Sequence, residues 1–498
     1  MTPTALSPRP PQAAHAPAPS EGPQVTGASA LAPVEPTTGR LLAYGGFATP
    51  LAFAALPLYV QWPAHAAGTW GMSLATLGAL LLAVRLGDAF IDPWIGSRID
   101  TLFERSARRA WLAAGVAAAC VACGLVALMF APDFVLSEPR ALLAWAAAAL
   151  VLTSLGYSVA TVTHQAWAVR LGGGSVEQAR WVGTREALAL AGVILASVLP
   201  AFAGWPATLG TLSALALLSW LSLARVQPRL AAHGAPAAHA AEVRGAPALA
   251  GRNLPRVTTS DRPDLLSPWR DRGFRRLVPI VLLGGLASAM PASLVVLYVR
   301  DVLAAGGAAE GWALGLYFVA GAAAMPLWVR AVGRFGLLRT WLAGMCIAIG
   351  AFAGAAVLGP GDLALFALVC VASGLALGAD LVVPPALLAG LIQRRSVSQE
   401  DATASGDGAR RGVEGRWFGW WNFLTKLTLA GAAGISLPLV QWLGYSPGAQ
   451  DARSLAALAF CYAVLPCGIK ALAAAMLWSR RETWPWTLHA TAASRTTP

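Results

Sequence analysis

Apolar stretches of roughly 20 residues or more recur along this chain, separated by short tracts that carry the charges. A bilayer core needs about 20 apolar residues per crossing helix, and a soluble domain has no use for so many such stretches. The composition agrees, at 57% hydrophobic against 12% charged. Span length and the lack of sustained two-residue alternation favour helices over a β-barrel. The expected fold is therefore an all-α polytopic membrane protein.

Twelve spans are expected, near 41–61, 71–96, 109–131, 140–168, 184–203, 208–225, 275–299, 311–330, 336–358, 363–391, 418–442 and 454–478. The long polar break at 226–274 divides them six and six, the arrangement of a carrier built from repeats. Residues 40–225 form the N-terminal half and 275–480 the C-terminal half, around a cytoplasmic central loop. Residues 1–39, rich in Pro, Ala, Ser and Thr, read as a disordered cytoplasmic tail and 481–498 as a second tail. DPWIGSRID after the second span is faintly echoed by MPLWVRAVGRFG after the eighth.

Arginines set the orientation. Arg98, Arg105, Arg108 and Arg109, then Arg170 and Arg180, the central loop, Arg330, Arg334 and Arg339, and Arg394 to Arg416 all fall on one side. QWPAHAAGTW and AFAGWPATLG, on the other side, carry almost no positive charge. Both termini should be cytoplasmic, in a bacterial-type inner membrane. The net charge of +12 is spread over these loops instead of forming one stripe, which argues against nucleic acid as a partner.

The charges inside the spans point to function. In VRLGDAFIDPWIGSRID, Asp88 and Asp92 lie one helical turn apart on one face, with Arg85 three residues before Asp88. Two carboxylates in low dielectric need a cation, a proton or a basic side chain beside them. Lys426, in WFGWWNFLTKLTLAGAAG, is the intramembrane candidate for that partner. The chain has one other lysine, Lys470, near the C-terminal end of a span. We expect Lys426 to pair with the carboxylates and to give way when the coupling ion, Na⁺ or H⁺, arrives. If sodium couples, Asp88 and Asp92 are its ligands.

Further polar groups are candidates for cargo binding or gating. Thr163, His164, Gln165 and Trp167 lie in the fourth span, and read either as a cargo site or as satisfied core and interfacial residues. Arg185, beside Glu186, opens the fifth span as a gating pair or an ordinary snorkelling residue. Asp380 precedes Pro384 and Pro385, where a carboxylate beside a helix break suits a gate or a site. Asn422 stands one turn before Lys426, and Tyr44 lies in the first span. Cys120 and Cys123 have CxxC spacing but no second pair or histidine near them, as packing residues would. No nucleotide loop, metal cluster or nucleophile–base pair is evident, so neither an enzyme nor a resident cofactor is expected.

RLGDAFIDPWIGSRID, FLTKLTLAGAAGISLPLVQWLGY and GADLVVPPALLAG resemble, in turn, the second-, eleventh- and tenth-helix segments of the glycoside-pentoside-hexuronide:cation symporters. These are the melibiose-carrier-like branch of the major facilitator superfamily, and the resemblance covers roughly 40–480. It implies two six-helix halves, alternating access, a cation site at Asp88 and Asp92 with Arg85 beside it, and a coupling role for Lys426. It also implies a saccharide or glycoside-like solute carried with a monovalent cation by a monomer in the bilayer. The chain departs from the melibiose carriers in two places: residues 41–70 hold no Asp or Glu, and Thr163 stands where they have an acid. A proton-coupled exporter or carrier of an amphipathic or lipid-like compound is the alternative, and a non-transporting scaffold or receptor a further one.

Overall fold

The computed structural model describes residues 36–226, 228, 264–404, 412–446, 448 and 450–481. The first 35 residues, nearly all of the central loop before Asp264 and the tail after Arg481 lie outside them, and with these the readings of two tails and a loop. Among the described residues there is no β-strand. Eleven helices are long and apolar enough to cross a membrane. A further long helix, Leu74–Arg105, holds the Arg85, Asp88 and Asp92 charges.

In chain order the long helices are α1 (Thr38–Tyr59), α2 (Leu74–Arg105), α3 (Ala107–Met129), α4 (Pro139–Arg170), α5 (Ser175–Pro200) and α6 (Phe202–Leu223). After the central loop come α7 (Arg272–Val302), α8 (Gly311–Phe335), α9 (Leu337–Ala355), α10 (Leu363–Arg395), α11 (Glu414–Trp442) and α12 (Ala452–Ser479). Short polar side chains start several of them by capping free backbone N–H groups. Thr37, Ser73, Ser106, Asp271 and Asp451 accept from Arg40, Thr76, Arg108, Phe274 and Ser454 respectively. Gly204, with φ +71, turns the chain between α5 and α6, flanked by Pro200 and Pro206.

Two boundaries differ most from expectation. α2 continues past 96 to Arg105, because its polar last turns are held against α11 rather than released to solvent. α5 begins at Ser175, after Gly172–Gly174, so Arg185 lies well inside the helix and does not open it. The stretch SVEQARWVGTRE is helical although it is not apolar.

Glycines mark the tight helix crossings. A Cβ on Gly192 of α5 would sit 2.2 Å from Thr49 O of α1, and one on Gly374 of α10 would sit 2.3 Å from Tyr317 O of α8. At the α2–α11 crossing a Cβ on Gly96 would meet Gly415 O at 2.0 Å, and one on Gly419 would meet Asp92 O at 2.4 Å. Backbones approach this closely only where no side chain intervenes. Towards the other ends of the same two helices, Cβ atoms on Gly78 and Gly434 would meet nothing within 4 Å. α2 and α11 thus touch at one end and part at the other.

Candidate functional site

A cavity of about 910 Å³ occupies the space where α2 and α11 diverge, lined from α1, α2, α4, α5, α7, α9, α10 and α11. It reaches Gly78 and Gly434 at the parted end, and His164 and Arg185 lie in its wall. Much of the lining is apolar. Leu82, Leu86 and Phe90 of α2 and Leu427 and Leu429 of α11 line it while each is more than 40% exposed, so large apolar side chains face open space there.

Lys426 crosses from α11 to α2 and α4. Its Nζ donates to Asp88 Oδ2 at 2.5 Å and to Ser158 Oγ at 2.7 Å, and Ser158 donates in turn to Asp88 Oδ1 at 2.7 Å. Asp92 Oδ2 is 2.8 Å from the same ammonium, in an ion pair. Asp92 is fully buried, and among the described residues neither of its carboxylate oxygens has a hydrogen-bond partner. One turn of α2 explains how a single ammonium meets both acids. Removing either side of such a buried pair strands the other and costs about 3–5 kcal/mol.

Arg85 is placed elsewhere. Its guanidinium lies 4.4 Å from the centre of the Tyr59 ring on α1, in a cation–π contact on the cavity wall. Side chains on a helix lean toward its N-terminus, and this carries Arg85 away from the carboxylates that share its face.

A second lysine site lies in α7–α12, and the sequence reading missed it. Lys470 Nζ of α12 donates to Asp380 Oδ2 at 2.6 Å and to Ser288 Oγ at 2.8 Å, and Trp341 Nε1 donates to Asp380 Oδ1 at 3.0 Å. Asp380, Ser288 and Trp341 line the cavity. The signal was available, since one of only two lysines in a largely apolar chain stood inside a helix.

The remaining candidates divide. His164, Gln165, Arg185 and Asn422 line the cavity; Thr163, Trp167 and Tyr44 do not. Thr163 donates to Val159 O at 2.7 Å within its own helix, and Trp167 donates to Val226 O at 2.7 Å. Tyr44 and His164 exchange hydrogen bonds, the tyrosine hydroxyl to His164 O at 3.1 Å and His164 Nε2 to Tyr44 O at 2.9 Å. Arg185 is paired with Glu186 at 2.5 Å, and both face the cavity. Gln165 Oε1 is buried without a partner among the described residues.

The basic end of the bundle is latched. Asp100 of α2 accepts from the backbone N–H of Gly415 at 2.6 Å and of Arg416 at 3.0 Å, at the start of α11. Glu104 accepts from Gly412 N, and Arg170 of α4 pairs with Glu414 at 2.6 Å. Carboxylates here meet the positive end of the α11 dipole. Among the described residues no group of three or more His, Cys, Asp or Glu is arranged to hold a metal ion.

A carrier needs such a cavity, latched at one end and walled by helices from both parts of the chain. Residues 41–480 match the family described as MFS/sugar transport protein. The chain belongs to that family. It is a transport protein of the major facilitator type and not an enzyme. No curated protein matches its sequence significantly. Its fold is similar to that of a bacterial homologue of the iron transporter ferroportin solved in an outward-facing state, with TM-score 0.56 and 17% identity over 89% of this chain and 98% of that one. The same homologue with soaked iron gives TM-score 0.53 and 16% identity, over 89% and 97% of the two chains.

Proposed function

We propose that this family member is a proton-coupled secondary carrier of an amphipathic, lipid-like compound. Twelve spans in two six-helix halves alternate access to the cavity, both termini are cytoplasmic, and the monomer is the working unit in the bacterial inner membrane. In this reading the latched, basic end is the cytoplasmic one, and the cavity faces outward. The observation that carries the cargo class is the apolar rim. Leu82, Leu86, Phe90, Leu427 and Leu429 line the cavity and are each more than 40% exposed, a large apolar surface open to a ligand. A tail can lie in that cleft while its head reaches the polar groups inside.

Coupling follows from the Lys426 site. Lys426 ties α11 to α2 and α4, so the halves separate there only when the ammonium is released. A proton on Asp92 weakens the pairing, and it needs one carboxylate oxygen rather than a shell of ligands. Around Lys426 Nζ stand Asp88, Asp92 and Ser158, while the Thr163 hydroxyl is bonded to its own helix. That set is a sparse one for Na⁺.

The description of the matched family names sugar transport and so favours a second cargo class, a saccharide or glycoside; the second reading is its symport with Na⁺ or H⁺. Uptake of labelled saccharides and of a labelled monoacylglycerol into proteoliposomes, under a pH or a sodium gradient, decides between the two. We expect the amphiphile to accumulate with the pH gradient. Accumulation of a saccharide alone would overturn the amphipathic reading, and dependence on sodium alone would overturn proton coupling.

A further inference from the structure

We propose that Asp380 is the subsite for the polar head of the cargo, accepting a hydrogen bond from a neutral donor such as a hydroxyl. Lys470 is its positioning residue. This deepens the reading above and rests on the cavity being where cargo binds.

Four residues from four helices build the subsite: Ser288 of α7, Trp341 of α9, Asp380 of α10 and Lys470 of α12. Lys470 and Ser288 donate to Oδ2 at 2.6 and 3.3 Å, and Trp341 Nε1 donates to Oδ1 at 3.0 Å. An ionised carboxylate offers about four acceptor positions, so one remains. Asp380 lines the cavity, whereas Lys470, 6% exposed, stands behind it and is not part of the wall. A cargo entering the cavity therefore meets the acid and not the base.

Charge decides what the open position takes. Lys470 already neutralises Asp380, so a bound cation would leave an uncompensated positive charge in low dielectric and an anion would meet the carboxylate directly. A neutral donor completes the acceptor set without adding charge. The strength is that of a hydrogen bond to an ionised group, roughly ten- to hundred-fold in affinity. All four residues belong to α7–α12, so the subsite keeps its geometry when the Lys426 contact across the cavity breaks.

The test uses the full chain in nanodiscs and direct binding of three labelled probes: 1-monooleoylglycerol, methyl oleate and methyl β-glucoside. Asp380→Leu/Lys470→Met removes the pair without leaving a charge, a replacement that buried ion pairs often tolerate. Ser288→Ala is the milder second variant, and Lys470→Arg asks whether a retained cation restores selectivity. We expect the double variant to bind the hydroxyl-bearing monoglyceride roughly ten- to hundred-fold more weakly, to bind the ester with much smaller loss, and Lys470→Arg to keep most of the preference. Equal losses for both lipids, or none, would overturn the subsite while the amphipathic reading stands. If the wild type binds the glucoside and neither lipid, the amphipathic reading fails, and the subsite stands or falls on whether the double variant loses the glucoside. Binding of no probe overturns both.

Discussion

Lys426 and Lys470 each hold an aspartate and a serine beside one cavity, with nearly the same distances, but they connect different things. Lys426 reaches from α11 to Asp88 on α2 and Ser158 on α4, so its bonds cross between the first six long helices and the last six. Lys470 reaches Asp380 on α10 and Ser288 on α7, all within the last six. Lys426 also faces a second acid, Asp92, whose oxygens carry no hydrogen bond among the described residues, whereas the Asp380 oxygens are held by three donors. An ion pair across a moving seam, with a spare carboxylate, can exchange partners during transport. One inside a single group of helices, with both carboxylate oxygens already bonded, is suited to staying put.

The largest effect that would break this comparison comes from Lys426→Met. It leaves Asp88 and Asp92 uncompensated at the seam, and gradient-driven uptake should fall at least about hundred-fold while folded protein is recovered. Unchanged concentrative uptake would remove Lys426 from coupling. Lys470→Met strands Asp380 at a similar cost of about 3–5 kcal/mol, but because its bonds stay within α7–α12 the folded fraction should keep uptake coupled to the gradient. Loss of coupling in Lys470→Met equal to that in Lys426→Met would mean that the sites are not different in kind.

A smaller effect is expected from Gly415→Val. The new Cβ would sit 2.3 Å from Gly96 O, so the basic end closes poorly. A cysteine placed at Ser97, which is buried in this state, should label roughly ten-fold faster in that background, in a chain otherwise free of cysteine. No change in labelling would show that the α2–α11 contact is not the closed gate. The smallest effect belongs to the cleft. Phe90→Ala removes a ring contact with Phe423, at 5.7 Å between centroids, and should slow amphiphile uptake about two- to five-fold with coupling intact. Slowing of saccharide uptake by the same factor would count against the cleft as the path of an apolar tail.

Much of the bundle was legible in the amino-acid pattern because a bilayer imposes span length so strictly. α2 shows the limit: its charges make it less apolar than the helices around it, yet those same charges identify the site. Asp88, Asp92 and Lys426 were recognisable together because intramembrane charge is costly and has few partners to choose from. Arg85 was expected beside the acids, and helix periodicity alone does not say that its long side chain leans back to Tyr59. Lys470 was passed over because it lies near the C-terminal end of its span, where a lysine can reach the interface without a partner, and only the fold brings Asp380 to it. Arg185 was expected at a helix end because the polar turns before it hid the true start of α5 at Ser175.

The most direct test compares wild type and Asp92→Asn in proteoliposomes, measuring both accumulation of the transported probe under an imposed pH gradient and its exchange at equal concentrations without one. If Asp92 accepts the proton that frees Lys426, the variant loses accumulation and retains exchange. Accumulation at the wild-type level in Asp92→Asn would contradict coupling through this site.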